Sequence, residues 1–260
     1  MRIRGFAPAS PCWVELASAD PARAADFYAA LFGWEPAGHR FRLDGRVVAG
    51  LTRAGADRPA GWLAYLNEPD LDAALDRVLR AGGHCVSAPA AAHGGWSTIV
   101  ADAEGATLGL WQAGDFAGIE VGGEPGAMTW PELLTHDAQT ALDFYGRAFG
   151  WLLRDEPGSA RTRGEWLTRG HDAIAGLAPG DGWTRWRSAF QVADCARAIE
   201  RCQALGGRVV AGPVQMGVGR YAELVDPWGS RFAVAAPVGV PVELGMSFGS
   251  PTGVELTFPG

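Results

Sequence analysis

CWVELASADPARAADFYAALFGW at residues 12–34 and TWPELLTHDAQTALDFYGRAFGW at residues 129–151 are two versions of one segment. Trp13 aligns with Trp130, Glu15 with Glu132, Asp20 with Asp137, and Phe27-Tyr28 with Phe144-Tyr145, all at an offset of 117. Phe32-Gly33-Trp34 and Phe149-Gly150-Trp151 keep that offset. Farther along, Trp62 pairs with Trp186, Gly82-Gly83 with Gly206-Gly207, Asp102 with Asp226 and Gly105 with Gly229, now at an offset of 124. Two colinear blocks of this kind identify an internal duplication. The seven extra residues of the second copy enter at about residues 153–181.

Each copy reads as a fixed order of elements. A short apolar strand ends at Ser18-Ala19-Asp20-Pro21, where Asp20 suits a helix N-cap and Pro21 the first helical position. Ala24, Phe27, Tyr28 and Leu31 then recur at helical spacing, and Gly33 closes the helix. Asp44-Gly45 marks the turn of a hairpin over residues 41–48. A strand at 62–67, a helix at 71–81 and strands at about 84–87, 96–101 and 107–112 complete the copy. The reading divides the chain into residues 1–116, a linker at 117–127, residues 128–237, and a tail at 238–260 with a strand at 253–258.

Composition narrows the classes of function. Hydrophobic residues are 48% and charged residues 20% of the 260, the balance of a soluble globular protein. The net charge is −7 and no basic run stands out, which argues against nucleic acid or an anionic membrane as partner. Every basic residue is arginine, so Schiff-base and P-loop lysine chemistry is excluded. Cys12, Cys85, Cys195 and Cys202 form no CxxC pair and read as reduced core thiols. Gly217-Val218-Gly219 lacks the flanking strand and helix of a dinucleotide fingerprint. The N-terminus has no sustained apolar stretch and no run approaches the ~18 residues of a membrane span, so a cytoplasmic protein is expected.

The duplicated strand-helix-strand pattern, with Asp-Pro and Phe-Tyr in the first helix and Phe-Gly-Trp after it, resembles the vicinal oxygen chelate superfamily of glyoxalases, bleomycin resistance proteins and extradiol dioxygenases. The resemblance covers residues 10–236 and is nearest to tandem glyoxalase-like proteins of GC-rich bacteria, some of which accompany aromatic polyketide antibiotic pathways. It implies an α+β fold of four βαβββ modules, forming two cup-shaped mixed sheets with helices outside. In metal-using members a divalent cation is held by His, Gln or Glu on the inner strand faces, where it polarises substrate oxygens. The matching positions here carry Trp13 and Trp130, Leu63 and Arg187, and Gly109 and Ala233. None is a suitable donor, because an indole N–H only donates and a guanidinium stays protonated. His39, His84, His93, His136 and His171 fall mostly in turns and at element ends. No metal and no cofactor are expected.

Strand alternation predicts what each cup contains. Trp13, Glu15 and Ala17 should face inward in the first, with Val14 and Leu16 toward the helix; Trp130, Glu132 and Leu134 should face inward in the second. Leu63 with Tyr65, Thr107 with Trp111, Arg187 with Gln191, and Arg231 should also point in. Each cup then reads as an apolar, indole-rich hollow with a few polar anchors, the composition of a small-molecule site. Flat aromatic ligands would stack on the indoles. His39 and Trp96 could rim the first cup, and Arg163 and Trp166 the second, with surface placement the alternative for each. Trp34, Trp62, Trp151 and Trp186 read as structural.

Glu15 and Glu132 admit two readings. Either each pairs with an arginine, Arg42 and Arg187 being candidates, or its pKa rises in the apolar hollow and it acts as a general acid or base. The leading functional reading is metal-independent binding of an aromatic or polycyclic metabolite, in a biosynthetic, accessory or self-resistance role, by a monomer or homodimer. The first alternative is a cofactor-free lyase or isomerase using Glu15 or Glu132 for isomerisation, ring opening, cyclisation or elimination. The second is a metal-dependent lyase or dioxygenase.

Overall fold

A computed structural model describes residues 3, 5–216 and 219–237. The first copy consists of β1 (Pro11–Ser18), α1 (Pro21–Phe32), β2 (Glu35–Ala37), β3 (Arg40–Leu43), β4 (Arg46–Arg53), β5 (Gly61–Asn67), α2 (Leu71–Arg80), β6 (His84–Ala92), β7 (Gly95–Ala101) and β8 (Thr107–Ala113). The second consists of β9 (Met128–Thr135), α3 (Ala138–Phe149), β10 (Leu152–Asp155), β11 (Gly164–Leu167), β12 (Ala173–Pro179), β13 (Arg185–Gln191), α4 (Cys195–Ala204), β14 (Arg208–Met216), β15 (Gly219–Val225) and β16 (Arg231–Pro237). Four βαβββ modules result, as the resemblance implied. The strand that the sequence pattern missed, β2, is short, fully exposed and contains Pro36, which a sheet tolerates only at an edge.

Local chemistry sets the boundaries. The Asp20 carboxylate accepts from Arg23 N at 3.2 Å at the start of α1, and Asp137 accepts from Thr140 N at 3.0 Å at the start of α3. Gly33 and Gly150 end these helices in the left-handed conformation, at φ 75° and 73°. Asp44 and Gly45 both have positive φ, the conformation a two-residue hairpin turn requires.

Each half forms one eight-stranded sheet, ordered β2-β3-β4-β1-β5-β8-β7-β6 and β10-β11-β12-β9-β13-β16-β15-β14. Its central strands run in two parallel pairs of opposite sense: β1 runs parallel to β4 and antiparallel to β5, which runs parallel to β8. The extra residues of the second half lie in the connections 156–163 and 168–172, where the first half has only 38–39 and 44–45. Among the described residues no helix is long and apolar enough to cross a membrane. All four cysteines are unpaired; Cys85 is exposed rather than in the core.

The helices face one another between the two halves, α1 against α4 and α2 against α3. Two hydrogen-bond relays cross this interface. Trp62 Nε1 donates to Tyr28 Oη at 2.9 Å, which donates to Asp226 Oδ2 at 3.0 Å. Trp186 Nε1 donates to Tyr145 Oη at 2.7 Å, which donates to Asp102 Oδ2 at 2.8 Å. Burial, together with the neighbouring aspartate charge, pushes both phenols far above their usual pKa, so each stays a donor. Trp34 Nε1 and Trp151 Nε1 donate across the same interface, to Gly126 O at 2.6 Å and Ala9 O at 2.9 Å. The structural role expected of Trp34, Trp62, Trp151 and Trp186 thus has a specific form. Residues 117–127, expected as a linker, are packed: Ile119, Val121 and Ala127 are buried, and Ile119 N donates to Cys12 O at 2.9 Å. The tail at 238–260, with its expected strand at 253–258, lies outside the described residues.

Removing one relay hydroxyl leaves a buried carboxylate short of a donor and a buried indole short of an acceptor. Tyr145→Phe is expected to cost about 2 kcal/mol. Urea unfolding should show a lower midpoint at unchanged m; a midpoint equal to that of the native chain would show that the relay contributes nothing.

Candidate functional site

The inner faces of the two sheets carry the residues that strand parity places there, yet they differ in volume. In the first cup Trp13, Tyr65 and Trp111 are each at most 1% exposed. Phe116 closes over them, its ring centroid 4.9 Å from that of Trp13 and 6.0 Å from that of Trp111. The strands opposite are stripped to glycine to admit these rings. A Cβ on Gly109 would lie 2.0 Å from the Tyr65 ring, one on Gly50 2.5 Å from Trp13, and one on Gly95 2.8 Å from Trp111.

Glu15, 1% exposed, sits under this aromatic layer. Its Oε2 accepts from Tyr65 Oη at 3.0 Å and pairs with the Arg58 guanidinium, while Oε1 faces His93 Nε2 at 2.7 Å. Burial and the nearby Arg40 and Arg58 charges lower the His93 pKa, favouring a neutral ring that donates Nε2–H to the carboxylate. The free space left beside Glu15 is about 50 Å³. That admits water but no metabolite. The arginine partner of Glu15 is therefore Arg58, from the connection 54–60; Arg42 instead donates to Gly45 O at the surface.

The second cup is built on the same frame. Gly176 stands to Trp130 and Glu132 as Gly50 does to Trp13 and Glu15; a Cβ there would lie 2.6 Å from Trp130 Nε1. At the offset of 124, however, Tyr65 becomes Ala189 and Trp111 becomes Ala235. Gly109, no longer facing a ring, becomes Ala233. A cavity of about 590 Å³ opens, walled by Trp130, Gly176, Leu177, Ala189, Ala235 and Tyr221 and rimmed by Glu156, Pro157 and Arg163 from the inserted connection. An adjoining space of about 500 Å³ shares Glu132, Glu156, Arg163 and Tyr221 with it and adds Asp181, Arg185, Arg187 and Glu223. Volumes of this size are those of small-molecule sites.

The polar wall of this cup is an ion-pair network. Arg187 bridges Glu132 and Glu223, the latter at 2.7 Å, and Glu223 also receives Arg185 at 3.3 Å and Arg231 at 3.2 Å. Glu132 thus pairs with Arg187, as one reading of the sequence expected. The Arg187 guanidinium lies over the Tyr221 ring, 4.8 Å from its centroid. Tyr221 Oη is buried and has no hydrogen-bond partner among the described residues.

The expected site residues accordingly separate into three sets. Trp130, Glu132, Arg187 and Arg163 line the open spaces of the second cup. Trp13, Glu15, Tyr65 and Trp111 face inward but fill and seal the first cup instead of lining a hollow. Trp96 and Trp166 are corrected: Trp96 pairs with Gln112 on the outer face and is 53% exposed, and Trp166 is wholly buried against Tyr145 and Trp151 on the helix side. His39 is exposed, and Gln191 and Arg231 occupy the inner face without lining either space. Tyr221, Glu223, Ala189 and Ala235 were not singled out. Comparison of the copies at the 124 offset, position by position along the inward faces, finds all four.

The residues present do not fit a divalent cation. No cluster of three or more His, Cys, Asp or Glu able to hold one occurs among the described residues. The single inward carboxylate–imidazole pair, Glu15 with His93, already has a guanidinium on the carboxylate, and a cation there would meet a fixed positive charge.

Ala189→Tyr should test the volume argument. Alone it drives a ring into the Cβ of Ala233 and is expected to cost about 1–3 kcal/mol. Adding Ala233→Gly should recover most of that loss in urea unfolding, and no recovery would show that the two cups are not packed alike.

A model of the glyoxalase-like domain matches residues 13–110 and again 132–235. The anthracycline biosynthesis protein DauV of Streptomyces sp. strain C5 is 35% identical, over 88% of this chain and 94% of its own. The putative glyoxylase CFP32 of Mycobacterium tuberculosis is 33% identical, over 88% and 95%. Among solved structures, the Mn(II)-bound glyoxalase of Novosphingobium aromaticivorans aligns with TM-score 0.61 at 18% identity, over 90% of this chain and 82% of its own. The 2,3-dioxygenase LapB of Pseudomonas sp. KL28 aligns with TM-score 0.57 at 16% identity, over 90% and 93%. At these identities the structures share the fold.

Proposed function

The chain belongs to the glyoxalase-like domain family of the vicinal oxygen chelate fold, and from that premise we propose that its second cup binds an aromatic or polycyclic metabolite without a metal, in natural-product biosynthesis. The observation that carries the reading is the 590 Å³ cavity created where Ala189 and Ala235 stand in place of Tyr65 and Trp111. Its walls are mostly apolar, and the half-buried Trp130 offers an indole for stacking. Relatives named for anthracycline biosynthesis, DauV and DnrV, at 35% and 34% identity, support the metabolic setting. The first cup, sealed by its own side chains, serves as the structural half. Metal independence is supported by the donor set: the positions matching the family's ligands carry Trp130, Arg187 and Ala233, and the inward carboxylates Glu132 and Glu223 are already paired with Arg187.

Titration of tryptophan fluorescence with planar polycyclic compounds should give saturable quenching at micromolar concentrations. Refilling the cup by Ala189→Tyr with Ala233→Gly and Ala235→Trp should weaken that binding about tenfold or more. Gly95, where a Cβ would lie 2.8 Å from the Trp111 ring, is matched at the offset of 124 by Gly219, and each sits one diagonal step from that position, so a glycine stands ready for the new indole. Equal affinity in the refilled variant would move the binding site elsewhere.

A second reading has one observation in its favour. Glu132 lines both open spaces and pairs with a single arginine, so a bound metabolite could give up a proton to its carboxylate. Under that reading Glu132→Gln would still quench with the ligand yet lose conversion, followed by chromatography of the metabolite.

A further inference from the structure

The second cup contains more than an apolar slot. Arg187, a cationic group facing the cup, is already engaged: its two terminal nitrogens hold Glu132 and Glu223. Its buried Nε lacks a partner, but the two carboxylates fix the plane of the guanidinium and so the direction of that N–H. Tyr221 differs. It lines both open spaces, its hydroxyl is buried, and among the described residues no atom accepts from it. A phenol O–H rotates about its C–O bond and can turn to a guest. Leaving such a group unsatisfied is costly, and buried polar atoms in folded proteins are nearly always paired. Burial drives its pKa well up, against the opposing pull of Arg187, so it is a neutral O–H donor at any pH the protein meets. The first cup has Ser97 at the equivalent place, so the phenol belongs to the open cup alone.

Resting on the cup reading above, we propose that Tyr221 is the specificity-determining residue of the second cup, and that the ligand is an aromatic ketone or quinone whose carbonyl oxygen accepts a hydrogen bond from Tyr221 Oη. The ring system lies along Trp130 and the two alanines, with its carbonyl edge toward β15. Arg187, stacked on the phenol ring and anchored by two carboxylates, holds Tyr221 in position.

The test uses the full chain and two probes of equal ring count and charge, anthraquinone-2-sulfonate and anthracene-2-sulfonate, titrated by fluorescence. The native protein should prefer the quinone by about tenfold, the scale of one hydrogen bond to a buried donor. Tyr221→Phe keeps the ring beneath Arg187 and should erase the preference, lowering quinone affinity and leaving that for the anthracene unchanged. Independently of any variant, the C=O stretch of the quinone should fall to lower frequency on binding to the native protein. A preference that survives Tyr221→Phe, an unshifted carbonyl stretch, or equal native affinity for both probes would overturn the assignment to Tyr221 while leaving the cup as a binding site. Failure of both probes to bind would take down the cup reading and this assignment together.

Discussion

The concave face of a strand-paired sheet has a fixed volume to fill, and every inward side chain competes for it. In the first cup this competition is closed: three large rings and Glu15 occupy the space, and Gly50, Gly95 and Gly109 yield theirs. In the second, two of the rings are reduced to methyl groups, and Tyr221, in place of Ser97, walls the space without closing it. Close packing tolerates no such gap inside an ordinary core, because a lining without partner atoms loses its dispersion contacts. A preserved opening beside an intact and symmetric frame is what a guest molecule requires.

The frame itself is held alike in both halves. The two Trp–Tyr–Asp relays run in opposite directions across one interface and use equivalent residues of each copy. Each aspartate also closes a turn, Asp102 accepting from Ala106 N and Asp226 from Ser230 N, both at 2.8 Å. Loop, interface and helix packing are thereby coupled through a single buried carboxylate in each half. With the scaffold pinned in this way, divergence between the copies concentrates on the inner strand faces and on the connections that rim them. The insertion at 156–163 lies at the mouth of the open cup, and the plugging Arg58 comes from the connection 54–60 of the closed one.

Much of this was legible in the sequence. The duplication, the helix caps at Asp20 and Asp137, the Asp44-Gly45 turn and the inward parity of Trp13 and Glu15 follow from period and turn chemistry, which act locally. Filling is not local. Whether an inward tryptophan lines a hollow or plugs it depends on what the other strands bring to the same space. Trp111 and Trp130 look alike in sequence yet end in opposite situations. Trp166 was misplaced because the rim assignment gave it no strand parity, whereas its neighbour Glu165 takes the cup side. Arg58 escaped notice because it lies in an irregular connection, where no periodicity indicates a direction. The contrast of Tyr65 with Ala189 and of Trp111 with Ala235 was present in the repeat and needed only a comparison of volumes rather than of identities.

The two cups share one architecture and differ in occupancy. Diffraction from crystals of the protein grown with a saturating planar aromatic ligand measures that difference directly. Ligand density between Trp130, Ala189 and Ala235, with Arg58 still on Glu15 in the other half, is the expected result. Density in the first cup with Arg58 displaced, or a second cup that stays free of ligand at saturation, would contradict it.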